Sequence, residues 1–230
     1  MPDIDTLIFD WDGTLSDSVG HIVSAMRAAA EEAMMPVPDV SAVRGIIGLG
    51  LPEAVAALYP QEGDNQRLAA VVSCYRHQYR SQEVQSVSLF PGVLEALARW
   101  RAEGYRLAVA TGKGRNGLDR MLAQHDLLGY FDATRCADET ASKPHPLMLQ
   151  EILQELSSLS SASIMVGDSS FDLDMAANAN VRAVAATYGA QSREQLLRCA
   201  PVHCIDEFAE LAGWLSKSGR DGRKTAIGEA

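Results

Sequence analysis

A short apolar run near the N-terminus, Leu7-Ile8-Phe9, reads as a buried strand, and no convincing strand follows it between Ser16 and Phe90. Buried backbone N–H and C=O groups must be paired, so a lone strand has to find a sheet elsewhere in the chain. The strand pattern resumes only after Pro91, where short apolar runs alternate with helical periodicity. The first strand must therefore return to that later sheet, and the residues between form an insertion.

The insertion reads as helical throughout. Val19, Ile22, Val23, Met26, Ala30, Ala33 and Met34 recur at three- and four-residue steps, with Asp17 or Ser18 available to cap and Pro36 and Pro38 to stop the helix. Ser41–Gly48 and Pro52–Leu58 read as two short helices about Gly48-Leu49-Gly50, and Asp64–Arg80 as a longer one. After Pro91, a helix reaches Gly104, and strands are expected at Arg106–Ala110, Ala133–Cys136, Ser163–Val166 and Arg182–Ala186. Helices near Asn116–Gln124, Pro146–Leu156, Phe171–Ala179 and Glu207–Leu215 separate and follow them.

This alternation implies an α/β fold, a doubly wound parallel (Rossmann-like) sheet with right-handed crossovers. Residues 1–16 and 90–216 would form that core, and 17–89 an inserted all-helical cap domain on two short linkers. Residues 217–230 are polar and read as a flexible tail.

Composition narrows the partners. The formal net charge of −10 argues against nucleic acid or an anionic membrane, which attract basic patches. It does not exclude an anionic small substrate, since a bound cation and one lysine can reverse the local sign. The N-terminus lacks a basic region and a long apolar stretch, and the four cysteines form no CxxC pair. A cytoplasmic protein with free thiols, monomer or homodimer, is the expectation.

Four positions fall at strand or helix ends on what should be one edge of the sheet: Asp10 after TLIF, Thr111 after LAVA, Asp168 after IMVG, and Lys143 ahead of a helix. Open α/β sheets bind ligands outside the carboxyl ends of their strands. Taken singly, each has a plainer role. Asp10 and Asp12 suit a turn about Gly13, Thr111-Gly112 suits another, Lys143 suits a solvated side chain, and Asp168 or Ser169 suits a helix cap. Together they suit phosphoryl transfer. An aspartate can attack phosphorus, a second acid can protonate the leaving alcohol and later deprotonate water, and Thr111 with Gly112 can hold phosphoryl oxygens. Lys143 can neutralise charge, and magnesium can bridge carboxylate and phosphate.

The ordered set Asp-x-Asp-Gly-Thr, Thr-Gly, Lys and Gly-Asp-x-x-x-Asp resembles the haloacid dehalogenase superfamily of phosphohydrolases over about Asp5–Trp214. The insert resembles that family's type C1 cap, as in its phosphoglycolate phosphatase and β-phosphoglucomutase branch. The resemblance implies Asp10 as nucleophile, Asp12 as general acid/base, Thr111 as phosphoryl ligand and Lys143 as the cation steadying both. It implies Mg2+ held by the carboxylates of Asp10 and Asp168 and the main-chain carbonyl of Asp12, with Asp172 orienting Lys143 or a metal-bound water. Trp11 replaces the smaller residue usual there, and its side chain should point away from the site.

Within the family, Asp12 argues against dehalogenases, and the absence of lysine from Met1–Gly112 excludes a phosphonatase with a cap lysine. The cations of the insert (Arg27, Arg44, Arg67, Arg76, Arg80, His21 and His77) read mostly as solvent-facing, which favours a phosphatase over a mutase holding a sugar bisphosphate. Arg44, ahead of the loop-like Gly45–Leu51, suits either a surface arginine or, if it faces the site, a contact to a carboxylate or second anion on the substrate. A receiver-like phosphate-accepting signalling domain is the alternative of another class, disfavoured by the order of the acidic motifs. The substrate is a small phosphorylated metabolite; phosphoglycolate, a sugar phosphate, a nucleotide monophosphate and pyrophosphate all stay open.

Overall fold

The computed structural model describes residues 4–82 and 87–218. Six parallel strands form one sheet in the order β3-β2-β1-β4-β5-β6. They are β1 (Thr6–Phe9), β2 (Arg106–Thr111), β3 (Ala133–Cys136), β4 (Ser163–Gly167), β5 (Arg182–Ala186) and β6 (His203–Ile205). The first strand does return to the sheet, at its centre, pairing Phe9 with Val109 on one side and Val166 on the other.

Helices cover both faces, so β1 is apolar on both. Leu7 and Phe9 enter one core layer with Val93, Leu97, Trp100 and Phe208, while Ile8 enters the opposite layer with Met148, Leu149, Met165 and Leu173. The first layer is lined by α5 (Val93–Ala102), α6 (Arg115–Gln124) and α10 (Glu210–Ser218), the second by α7 (Leu147–Glu155) and α8 (Ser170–Asn178).

Between β1 and α5 lie four helices: α1 (Val19–Glu32), α2 (Val40–Ile46), α3 (Leu51–Leu58) and α4 (Asn65–Gln82). They bury an apolar cluster of their own, with Ile22, Met26, Val43, Val55, Tyr59, Val71 and Tyr79 among its members, and one residue of the α/β part, Ala190, joins it. The chain enters and leaves this insert side by side. Asp17 N donates to Ser88 O and Phe90 N to Leu15 O, both at 2.9 Å, about a Ser16–Leu89 bridge.

Two elements depart from the sequence reading. The edge strand β6 and the five-residue α9 (Arg193–Leu197) were not anticipated. The helix α10 also runs through Ser218, into the expected tail, whose remainder lies outside the described residues.

Candidate active site

The parallel register brings the strand ends level. Asp10 follows Phe9 and donates its N–H to Val166 O at 2.9 Å, so it stands between the ends of β2 and β4, beside Thr111 and Asp168. Lys143 reaches the same point from ahead of α7. Its ammonium donates to Asp10 Oδ1 at 2.8 Å and Asp172 Oδ1 at 2.6 Å, with all three side chains at most 1% exposed.

Asp172 unites the plain and the functional reading of its motif. Ser169 caps α8 in a reciprocal capping box with Asp172, whose Oδ2 accepts from the N–H and hydroxyl of Ser169. Its other oxygen is left for Lys143. One carboxylate therefore starts the helix and orients the lysine.

Asp168 is equally constrained. Thr14 Oγ1 donates to its Oδ1 at 3.1 Å and Ala190 N–H to its Oδ2 at 2.6 Å. The chain closes tightly here, since a Cβ on Gly13, which has φ +80°, would collide with Asp168 Oδ2, and one on Gly189 would meet Asp168 Cβ. Only glycine admits both the positive φ and the close approach at Gly13.

Burial of so many acids in one place costs free energy unless a cation compensates. Burial, only partly offset by Lys143, pushes the Asp10 carboxyl up to about 7, with Asp172 and Asp12 adding repulsion. Burial raises Asp168 as well, with Asp10 and Asp172 reinforcing it. Burial opposes the charge on Lys143, but Asp10 and Asp172 together hold its pKa above the ordinary lysine value.

Among the described residues, Asp10, Asp168 and Asp172 present carboxylate oxygens all within 4.8 Å of one another. Three carboxylates against one ammonium leave two negative charges, and Asp10 Oδ2 is buried with no hydrogen-bond partner. An all-oxygen set with an orphaned acceptor and this charge fits a hard divalent cation.

Asp12 faces a different partner, which the sequence reading missed. Lys113 Nζ donates to both Asp12 oxygens at 2.8 Å, Ser18 Oγ donates to Oδ1 at 2.7 Å, and Tyr79 Oη lies 3.1 Å from Nζ. Burial works against the Lys113 charge, but Asp12 outweighs it and lifts its pKa above the usual lysine value. Its one signal in the sequence is its place two residues past Thr111, as the first lysine in the chain.

A cavity of about 610 Å³ opens over Asp10, Asp12, Thr111, Gly112 and Lys113, walled by Ile22, Met26, Ile47, Leu49 and Tyr75 of the insert. Trp11 is buried in the sheet's core, away from this space. Among the insert's cations, the substrate-contact alternative for Arg44 is corrected. Arg76 and Arg80, four residues apart on α4, are exposed as their spacing implies, and they also line the cavity with Arg120. Arg44 does not line it; its guanidinium donates to Ala190 O at 3.0 Å and Gly189 O at 2.7 Å. A planar fork so placed commits its Nε–Nη2 edge to two main-chain carbonyls of the core rather than to a substrate carboxylate.

This constellation of paired acids, lysine and cavity at strand ends is matched by sequence. The profile of the haloacid dehalogenase-like hydrolases fits residues 7–186. The chain belongs to this family. It is 37% identical over 210 residues to the probable phosphatase IndB of Dickeya dadantii, spanning 90% of this chain and 91% of that one. A phosphoglycolate phosphatase of Rhodospirillum rubrum is 30% identical over 218 residues, covering 91% and 90%. The fold is shared with the crystal structure of a predicted phosphoglycolate phosphatase from Haemophilus somnus, with a TM-score of 0.81 and 24% identity over 93% of this chain and 99% of that one. The protein is a phosphatase of the haloacid dehalogenase-like family. Among the described residues no helix is long and apolar enough to cross a membrane.

Proposed function

We propose that the protein is a Mg2+-dependent phosphomonoester hydrolase that works through an aspartyl-phosphate on Asp10, with the insert acting as a type C1 cap. The observation that carries this reading is the buried Asp10–Lys143–Asp172 chain, which leaves Asp10 Oδ2 unpartnered in a site that opens to the cavity.

In the first step Asp10 Oδ2 attacks phosphorus as the ester P–O bond breaks, and Asp12, in its protonated form and freed of its ion pair with Lys113, gives its proton to the departing oxygen. In the second, Asp12 takes a proton from water, the water oxygen bonds phosphorus, and the P–Oδ2 bond breaks to release phosphate. Thr111 Oγ1 and the Gly112 N–H hold the non-bridging oxygens, while Lys143 keeps its charge beside them. Magnesium held by Asp10, Asp168 and the Asp12 carbonyl would supply positive charge against the phosphoryl oxygens.

The substrate reading is a small phosphorylated metabolite of the phosphoglycolate kind. Support comes from the relatives of that name and from the cations at the cavity wall, Arg76, Arg80 and Arg120, which suit a second anionic group. Those arginines also remove one argument against a phosphosugar mutase, so the assay must separate the two. A phosphoester panel with Mg2+ or EDTA, run beside Asp10→Asn, does so. Hydrolysis that needs metal and Asp10 supports the phosphatase. Isomerisation dependent on a trace of bisphosphate, with slow phosphate release, would identify the mutase, and undiminished activity in Asp10→Asn would overturn the nucleophile.

A further inference from the structure

Arg44 stands on α2 of the insert, yet its two main-chain partners, Gly189 and Ala190, belong to the turn after β5. That turn is the one that holds Asp168. The Ala190 N–H donates to Asp168 Oδ2 at 2.6 Å, and the Gln191 N–H to the Asp168 main-chain oxygen at 3.2 Å. A third tie comes from the neighbouring residue, since Tyr188 Oη donates to Thr14 O at 3.0 Å, and Thr14 Oγ1 is the second donor to Asp168. Ala190 is itself buried in the insert's apolar cluster, 3% exposed, packed in the same cluster as Val43 and Ile47. A single turn is thus gripped by the insert through a methyl group and a guanidinium, and hands the constraint to the Asp168 carboxylate through the Ala190 N–H.

We propose that Arg44 is a positioning residue for Asp168: by holding the Gly189–Ala190 turn it makes divalent-cation binding in the core depend on docking of the helical insert. The inference rests on the metal-dependent reading of this site. Its physical basis is that a carboxylate ligand binds a cation well only when the groups behind it fix its orientation, and loss of such a group typically weakens metal binding about 10–100-fold. Charge-assisted, bidentate contacts are strong enough to play that part, and a lysine cannot reproduce the fork. Linkage is reciprocal, so cation binding would in turn tighten the insert on the core.

The test titrates Mg2+ into the full-length, EDTA-treated and desalted protein by calorimetry, with thermal melts over the same concentrations. Arg44→Met should weaken Mg2+ binding about 10–100-fold, and Arg44→Lys by an intermediate factor. At saturating Mg2+ the KM for a phosphomonoester should be unchanged in both. Ser142→Ala is the control, because it removes another insert-to-core hydrogen bond, from the Gly50 N–H at 2.9 Å, without touching the turn. It should leave Mg2+ binding unchanged. If Arg44→Met melts too early to titrate, Arg44→Lys carries the test. Wild-type Mg2+ affinity in the Arg44 variants overturns the inference alone, as does an equal loss in Ser142→Ala. Wild-type protein that takes up no Mg2+ overturns it together with the metal-dependent reading.

Discussion

Replacing Lys143 by methionine tests the electrostatics of the site directly. The side chain is fully buried and neutralises Asp10 at 2.8 Å and Asp172 at 2.6 Å, so methionine keeps most of the volume and removes the charge. Removing one partner of a buried ion pair costs about 3–5 kcal/mol, because the remaining charge is left uncompensated. For a chain of this size each kcal/mol lowers Tm by about 2–4 °C, so the metal-free variant should melt about 6–20 °C below wild type at pH 8. The loss should shrink at pH 5.5. Asp10 already has its carboxyl pushed up to about 7 with the lysine present, so in the variant the acids shed charge by taking up protons before that pH is reached. Added Mg2+ should raise the variant's Tm more than the wild type's, since it meets three uncompensated carboxylates instead of a set already part-neutralised. Melts by circular dichroism at the two pH values, with and without Mg2+, read all of this. A metal-free Tm within 2 °C of wild type at pH 8, or a deficit equal at both pH values, would refute the account.

Asp10→Asn should reduce turnover at least a thousandfold, with no phosphoenzyme trapped by acid quench, because the amide is no nucleophile. In the wild type the Asp10 pKa is raised from 3.8 to about 7, so its contribution to stability is complete below pH 4 and lost as pH rises through 7 in the metal-free protein. Mg2+ should accordingly raise Tm more at pH 8 than at pH 5.5, and a metal effect that does not change with pH would contradict the assignment. Gly189→Ala forces a methyl against Asp168 Cβ and should destabilise the protein by about 1–3 kcal/mol, while weakening Mg2+ binding; unchanged melts and titrations would show that the turn is looser than described.

The parts of the fold legible in the sequence are those where burial is two-sided or periodic. β1, β2 and β4 are covered on both faces, and such strands read as continuous apolar runs. β6 was invisible because it is three residues long, at the sheet edge, with His203 exposed, and α9 because Leu196 is its only buried residue. The site divides in the same way. Asp10, Thr111 and Asp168 sit at strand ends, which the sequence marks, whereas Lys113 acquires its partner by reaching from one loop to Asp12 in another. Helical spacing placed Arg76 and Arg80 on one side of α4 but carried nothing about which side the cavity would take. Arg44 stands out in the sequence beside its glycine-rich loop, but neither a surface position nor a substrate contact describes it, since its target is main chain and main-chain acceptors leave no sequence signal.

The chain carries ten negative charges in excess and yet must admit a phosphate dianion. Charges farther than about 8 Å through water are largely screened at physiological salt, so what the phosphate meets is the local balance. At the strand ends three carboxylates face one ammonium, and a divalent cation would bring that cluster to neutrality. Asp12 and Lys113 form a pair that is neutral by itself. At the cavity wall Arg76, Arg80 and Arg120 outnumber Glu53 and Asp138. Without a divalent cation the inner cluster would repel an anionic substrate; with one, the excess positive charge would lie at the wall, where it would attract that substrate. On the metal-dependent reading proposed above, cation binding would therefore favour phosphoester binding, and the residues that hold the cation would also influence the affinity for the substrate.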